Sequence, residues 1–258
     1  MRSVIVHYHC YKNAGSTVDR SVTTSFGRDA LMEVDKHELY REVKAYNRAF
    51  FEEVIPKHPD VICFSSHRTV PSAHLISDHN VIPVLFLRHP LLRVASAYRF
   101  EAKRQDGPQF EDARRLSFRD WLRSRVEDVN GWEARNYQSC IFSLKEDGQP
   151  DLVPGSTTRQ VHFDRLWARM NALPVVGVVE EFERSTTAYN ALIGTQIPGF
   201  ALGGAANRTK ESSDWKADVA DLESEIGPEV AALFRQGNEQ DYALFEHFVE
   251  KIASGSGG

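Results

Sequence analysis

Two short segments of the chain put cations and hydroxyls where a strand hands over to a helix. The first is Tyr11-Lys12-Asn13-Ala14-Gly15-Ser16-Thr17, which follows the β-branched and aromatic run Ser3 to Cys10. Ala14 and Gly15 let the backbone approach an anion closely, and the free amides at a helix start supply aligned donors. Lys12 adds a mobile positive charge, while Ser16 and Thr17 add hydroxyls. Ser and Thr here also serve as ordinary helix caps, so this segment alone leaves both readings open.

The second segment is Arg88-His89-Pro90-Leu91-Leu92-Arg93-Val94-Ala95-Ser96-Ala97-Tyr98, directly after the apolar run Val81 to Leu87. An arginine emerging from a buried strand suits a bidentate grip on a phosphate, and a turn brings Ser96 to the same anion. Residues 88–104 carry Arg88, Arg93, Arg99, Lys103 and Arg104 against Glu101 alone, in a chain of net charge -5. A solvated helix face explains Arg99, Lys103 and Arg104; it does not explain Arg88.

The same residues exclude other chemistries. A Walker A loop needs its lysine after the second glycine, whereas Lys12 precedes the small residues. No aspartate follows an apolar strand in the magnesium-holding position. The acidic balance speaks against a general nucleic-acid binder. Cys10, Cys63 and Cys140 lie far apart and have no zinc-ligand spacing; they read as buried thiols, and no metal is expected. There is neither a run of ~18 apolar residues nor a signal-peptide pattern, so a cytoplasmic protein without a membrane span is expected.

These segments need elements to hold them. Strands are expected at Ser3 to Cys10, Val61 to Ser65, Val81 to Leu87 and Val175 to Val179. Helices are expected from Val18 to Ser25, over 36–55, Ser72 to Asp78, Leu91 to Lys103, 117–127, 131–144, 160–171, Glu181 to Ile193, 214–225 and 227–252. The second rests on the spacing of Leu39, Val43, Tyr46, Phe50 and Val54. Short apolar strands alternating with amphipathic helices imply a doubly wound α/β domain with a mainly parallel central sheet. One domain over 1–253 is expected, with 254–258 (SGSGG) a flexible tail.

Together the two anion segments resemble the sulfotransferases that use 3′-phosphoadenosine 5′-phosphosulfate (PAPS), particularly the carbohydrate O-sulfotransferase-like group. In that family the first loop reads like PKTGGTS and the second like RDPxxRxxSxY; here Arg88, Pro90, Arg93, Ser96 and Tyr98 are in step. Tyr11 for proline and His89 for aspartate depart from the pattern. Softer likenesses are Asn136-Tyr137-Gln138-Ser139, the run VVGVVEEFERS from Val175, and Asn207-Arg208-Thr209-Lys210 in the place of a late cofactor loop, so the likeness spans about residues 4–210.

The resemblance implies a three-layer P-loop-like fold and a sulfuryl transfer from PAPS to an acceptor hydroxyl or amine, carbohydrate or small molecule, without a metal. It implies that Lys12, Asn13, Ala14, Gly15, Ser16 and Thr17 hold the 5′-phosphosulfate, Lys12 stabilising the leaving group. Arg88 and Ser96 would hold the 3′-phosphate, with Asn207, Thr209 and Lys210 closing over the cofactor. Among the ten histidines, His67 stands at the same sheet edge and is the first choice for a general base, with His9 and Glu33 in reserve. Arg68 meets an acidic acceptor or is solvated. Trp132, Tyr137 and Phe200 stack on adenine or pack in the core. The polar stretches 103–116 and 145–159 are expected over the acceptor cleft. Rival readings are a P-loop-type phosphotransferase and a non-catalytic nucleotide-binding relative; the acceptor's identity and the oligomeric state stay open.

Overall fold

In the computed structural model, Ser3–Tyr8 forms strand β1, and its alternation already divides the molecule into layers. Val4, Val6 and Tyr8 join one apolar cluster while Ile5 joins another on the opposite face. The structure describes residues 2–105, 107, 110–128, 131–203 and 214–255. After β1 come α1 (Gly15–Phe26), β2 (Leu31–Glu33), α2 (Arg48–Lys57), β3 (Cys63–Ser66), β4 (Asn80–Val84) and β5 (Phe86–Leu87). Then follow α3 (Pro90–Ala102), α4 (Glu111–Arg115), α5 (Phe118–Glu127), α6 (Tyr137–Phe142) and α7 (Phe163–Asn171). The chain continues through β6 (Gly177–Val178), α8 (Phe182–Gly194), α9 (Trp215–Gly237) and α10 (Glu239–Ala253).

Strands pair in parallel in the order β2-β3-β1-β4, with Ile5 opposite both Cys63 and Ile82. Side chains of α2, α6, α7 and α10 cover one face of this sheet, and those of α1 and α8 the other. A third cluster, built by helices alone, joins α3, α5 and α9 around the fully buried Trp121. The protein is thus a mixed α/β fold whose central parallel sheet of four strands is flanked by helices. No helix among the described residues is long and apolar enough to cross a membrane.

Several elements depart from the expectations. The run Val81 to Leu87 is two strands, not one, because the chain leaves the sheet at Leu85. There the Tyr189 hydroxyl donates to the Leu85 carbonyl (2.6 Å) and accepts from its amide (3.0 Å), replacing a ladder bond. Phe86 and Leu87 then pair with β6. The expected helix over 36–55 begins only at Arg48, capped by Asn47, whose side chain accepts from the Phe50 amide. Upstream, the Arg68 guanidinium takes the carbonyls of Arg41 and Val43, and Leu39 is 74% exposed, so the apparent apolar stripe is not one face.

Ser72 to Asp78 makes turns rather than a helix. Residues 131–144 divide into a short turn of helix at Trp132–Ala134 and α6. Strand β6 is shorter than Val175 to Val179. The terminal helices part at Gly227, with φ 77° next to Pro228, where the break is expected; α9 itself ends at Asn238, inside the expected helix over 227–252. Fully buried Asn238 ends it by donating to the carbonyls of Phe234 and Ala134 and accepting from the Asn136 amide.

Candidate functional site

The carboxyl ends of β1, β3 and β5 open on a cleft of about 900 Å³, where ligands collect on parallel sheets. Its walls include Lys12, Ala14, Gly15, Ser16, Thr17, His67, Arg88 and Ser96. The two anion segments and the chosen histidine, far apart in sequence, therefore share one cavity.

The β1–α1 turn bends through two left-handed residues, Lys12 at φ 68° and Ala14 at φ 61°. Such a conformation costs a non-glycine residue ~1 kcal/mol or more, so surrounding bonds must hold it. Arg88 supplies one, donating from Nη1 to the Lys12 carbonyl (2.9 Å). Asn13 supplies two, its Nδ2 donating to the Phe86 carbonyl and to Gln138 Oε1, both at 2.7 Å. Asn13 is 2% exposed and does not line the cleft; the side chain expected at the cofactor instead fastens the loop to β5 and α6. Gly15 is required by contact: a Cβ there would lie 1.9 Å from the His9 ring.

Lys12 ends over aromatic faces, its Nζ 4.4 Å from the Phe100 ring centre and 5.8 Å from that of Tyr11. Among the described residues no carboxylate pairs with it. Burial, then the charge of Arg88, lowers its pKa from the ordinary lysine value. Arg88 is braced by two residues that sequence reasoning left without a role. Gln138 Oε1 accepts from the Arg88 amide and Nε2 donates to its carbonyl, each at 2.9 Å. Glu180, with a side chain 3% exposed, lies 3.8 Å from Arg88 Nε and accepts from the His89 amide. Burial raises the Glu180 carboxyl to about 7, against the opposing pull of Arg88.

His67 is anchored by its main chain, whose amide donates to Asp35 (2.7 Å), and its ring stacks on His9 at 4.0 Å. Desolvation lowers its pKa from 6.5, so the imidazole is neutral at pH 7. Burial, with the neighbouring rings of His7 and His67, takes His9 down to about 2. Glu33 is tied to Arg28 and Lys36 and does not line the cleft. Arg68 is a scaffold residue rather than an acceptor contact: it binds Asp35, the Tyr46 hydroxyl and two carbonyls.

The chain is similar to an uncharacterized protein of Archaeoglobus fulgidus, 26% identical over 266 residues that cover 98% of this chain and 99% of that one. No family model matches, and no solved structure matches.

Other expected residues lie elsewhere. Arg93 turns inward, 1% exposed, with its guanidinium over the Tyr137 ring and a bond to the Glu133 carbonyl. Tyr137 and Phe200 are core residues, and exposed Trp132 packs on Tyr137, so none of the three lines the cleft. Phe182, Leu92 and Phe100 are the apolar walls instead. From the stretch 103–116 only Lys103 lines it among the described residues, and nothing from 145–159, which packs through Glu146 near Asn47 and Ser72. Asn207, Thr209 and Lys210 lie outside the described residues. Asp218, Asp221 and Glu225 of α9 line the cleft unforeseen, because acidic residues on a polar helix face carry no distinguishing spacing. Unforeseen as well is a gathering of His7, His9 and Asp19 behind the loop.

Proposed function

We propose that the protein is a sulfotransferase of the three-layer P-loop-like type, moving a sulfuryl group from PAPS to an acceptor hydroxyl or amine. The observation that carries this reading is the convergence of the Lys12–Thr17 loop, Arg88, Ser96 and a neutral His67 on one cleft. The donor set fits a nucleotide bearing anions at two ends. Arg88 Nε is buried without a hydrogen-bond partner, and no carboxylate among the described residues pairs with Lys12.

Bound PAPS would supply the sulfuryl group and a 5′-phosphate leaving group. The Ser16 amide and the hydroxyls of Ser16 and Thr17 would hold that phosphate at the start of α1. Lys12 would meet the charge growing on the bridging oxygen, which is where preorganised charge accelerates transfer most. Arg88 and Ser96 would hold the 3′-phosphate, with Glu180 and Gln138 fixing the arginine's position. His67 would accept the proton of the acceptor as its oxygen or nitrogen bonds the sulfur. The proton goes to the imidazole and the electron pair of the broken S–O bond stays on adenosine 3′,5′-bisphosphate.

Thermal unfolding tests this directly. Adenosine 3′,5′-bisphosphate should raise the melting temperature, by an amount growing with ligand over Kd; 5′-AMP should do so less, and Arg88→Ala should abolish the response. A larger shift with ATP and magnesium would favour a phosphotransferase. No response to the bisphosphate would sink the proposal.

A further inference from the structure

We propose that His7, His9 and Asp19 form a binding site for a first-row divalent transition metal, of the zinc or cobalt type. His7 on β1 and His9 just past its end stand two apart on the same side, and their rings stack at 5.0 Å with planes 17° apart. Asp19, from the second turn of α1, places its carboxylate between them. Its Oδ1 is 3.0 Å from His7 Nδ1 and its Oδ2 3.7 Å from His9 Nδ1. One ligand atom from each of the three residues falls within 4.8 Å of the others.

Two imidazoles and one carboxylate are a donor set that zinc and its neighbours take. With metal–ligand bonds of ~2.0–2.1 Å, tetrahedral ligand atoms sit roughly 3.3 Å apart, and the two distances here bracket that value. A buried histidine–aspartate hydrogen bond would account for His7 alone. It does not account for a second imidazole brought to the other carboxylate oxygen. The remaining surroundings suit a cation: the Ser65 hydroxyl bonds the Asp19 carboxylate and orients it. Lys36, the nearby positive charge, is neutralised by Glu33 at 2.5 Å. His9 lines the cleft while His7 is 1% exposed, so an ion enters from the cleft side.

The site lies behind Gly15, whose Cα abuts the His9 ring. A cation there strengthens the positive field of the same turn that holds the anion loop, and by reciprocity an anion in the loop tightens the metal.

The test uses the full chain without nucleotide, so it stands apart from the sulfotransferase reading. Titration with Co²⁺ should give a visible d–d absorption that saturates at one equivalent and is displaced by Zn²⁺. Asp19→Asn, which keeps shape and hydrogen bonding, should weaken binding at least roughly 100-fold, beyond the loss seen for outer-shell partners. If that variant does not fold, His9→Gln gives the same readout with the His7–Asp19 bond intact. His58→Ala, at a half-buried pair with His37 away from the site, should leave the band unchanged. Absence of the band in the wild-type chain, its persistence in the folded Asp19 or His9 variant, or its loss in His58→Ala would overturn the site.

Discussion

His67 does its proposed work only while neutral. Its ring is open to the cleft on one side, yet packing on His9 desolvates it enough to lower its pKa below 6.5. A base acts in its unprotonated form, so a lowered pKa keeps it active further into acid. The acid limb of kcat/KM should therefore fall below pH 6.5, and His67→Gln should remove the limb along with most of the rate, a loss of ~10²–10⁴-fold. A limb above 6.5, or one retained in the variant, would assign the proton to another group. His9, the reserve, is poorly suited: with its pKa near 2 and its ring held between His7 and His67, it is too weak a base.

The element that matters most is the β1–α1 turn, where local strain and packing meet. Lys12 and Ala14 hold left-handed angles, and Gly15 lets the helix start against the His9 ring. That ring is stacked on both sides, so it cannot swing away cheaply. Gly15→Ala should cost on the order of 1–3 kcal/mol through overpacking. Removing the ring in Gly15→Ala/His9→Ala should recover most of that cost. A double-mutant cycle by urea denaturation reads the coupling; additive effects, or a silent Gly15→Ala, would refute the contact.

Across the whole molecule, the helix α10 is wired to the Lys12–Thr17 loop. Asp241, 1% exposed, accepts from the amides of Gln138 and Ser139 and from the Ser139 hydroxyl at 2.9, 2.7 and 2.6 Å. Gln138 then binds Asn13 and both main-chain groups of Arg88. Asp241→Ala strands three buried donors, so a loss of about 3 kcal/mol or more is expected. In protein still folded, bisphosphate affinity should fall with it, because Arg88 loses its brace. Unchanged stability by chemical denaturation, or unchanged affinity at full folding, would show that the relay carries nothing.

The sequence by itself determined what local spacing can encode. The two-residue alternation of Ser3 to Tyr8 sets the faces of the sheet, and the strand-to-helix positions of Lys12 to Thr17 and of Arg88 fix which end of it the cations occupy. His67 was legible for the same reason, as the residue just beyond a strand. Tertiary structure decided the rest, because those choices depend on partners distant in the chain. Tyr189 divides 81–87, Arg68 unwinds the start of 36–55, and Asn238 divides the run expected as one helix over 227–252. Glu180, Asp241 and Asp19 have no spacing in the sequence that sets them apart from the other acids. Only folding removes water from them, and a buried carboxylate then has to meet the cations, amides or imidazoles brought to its side.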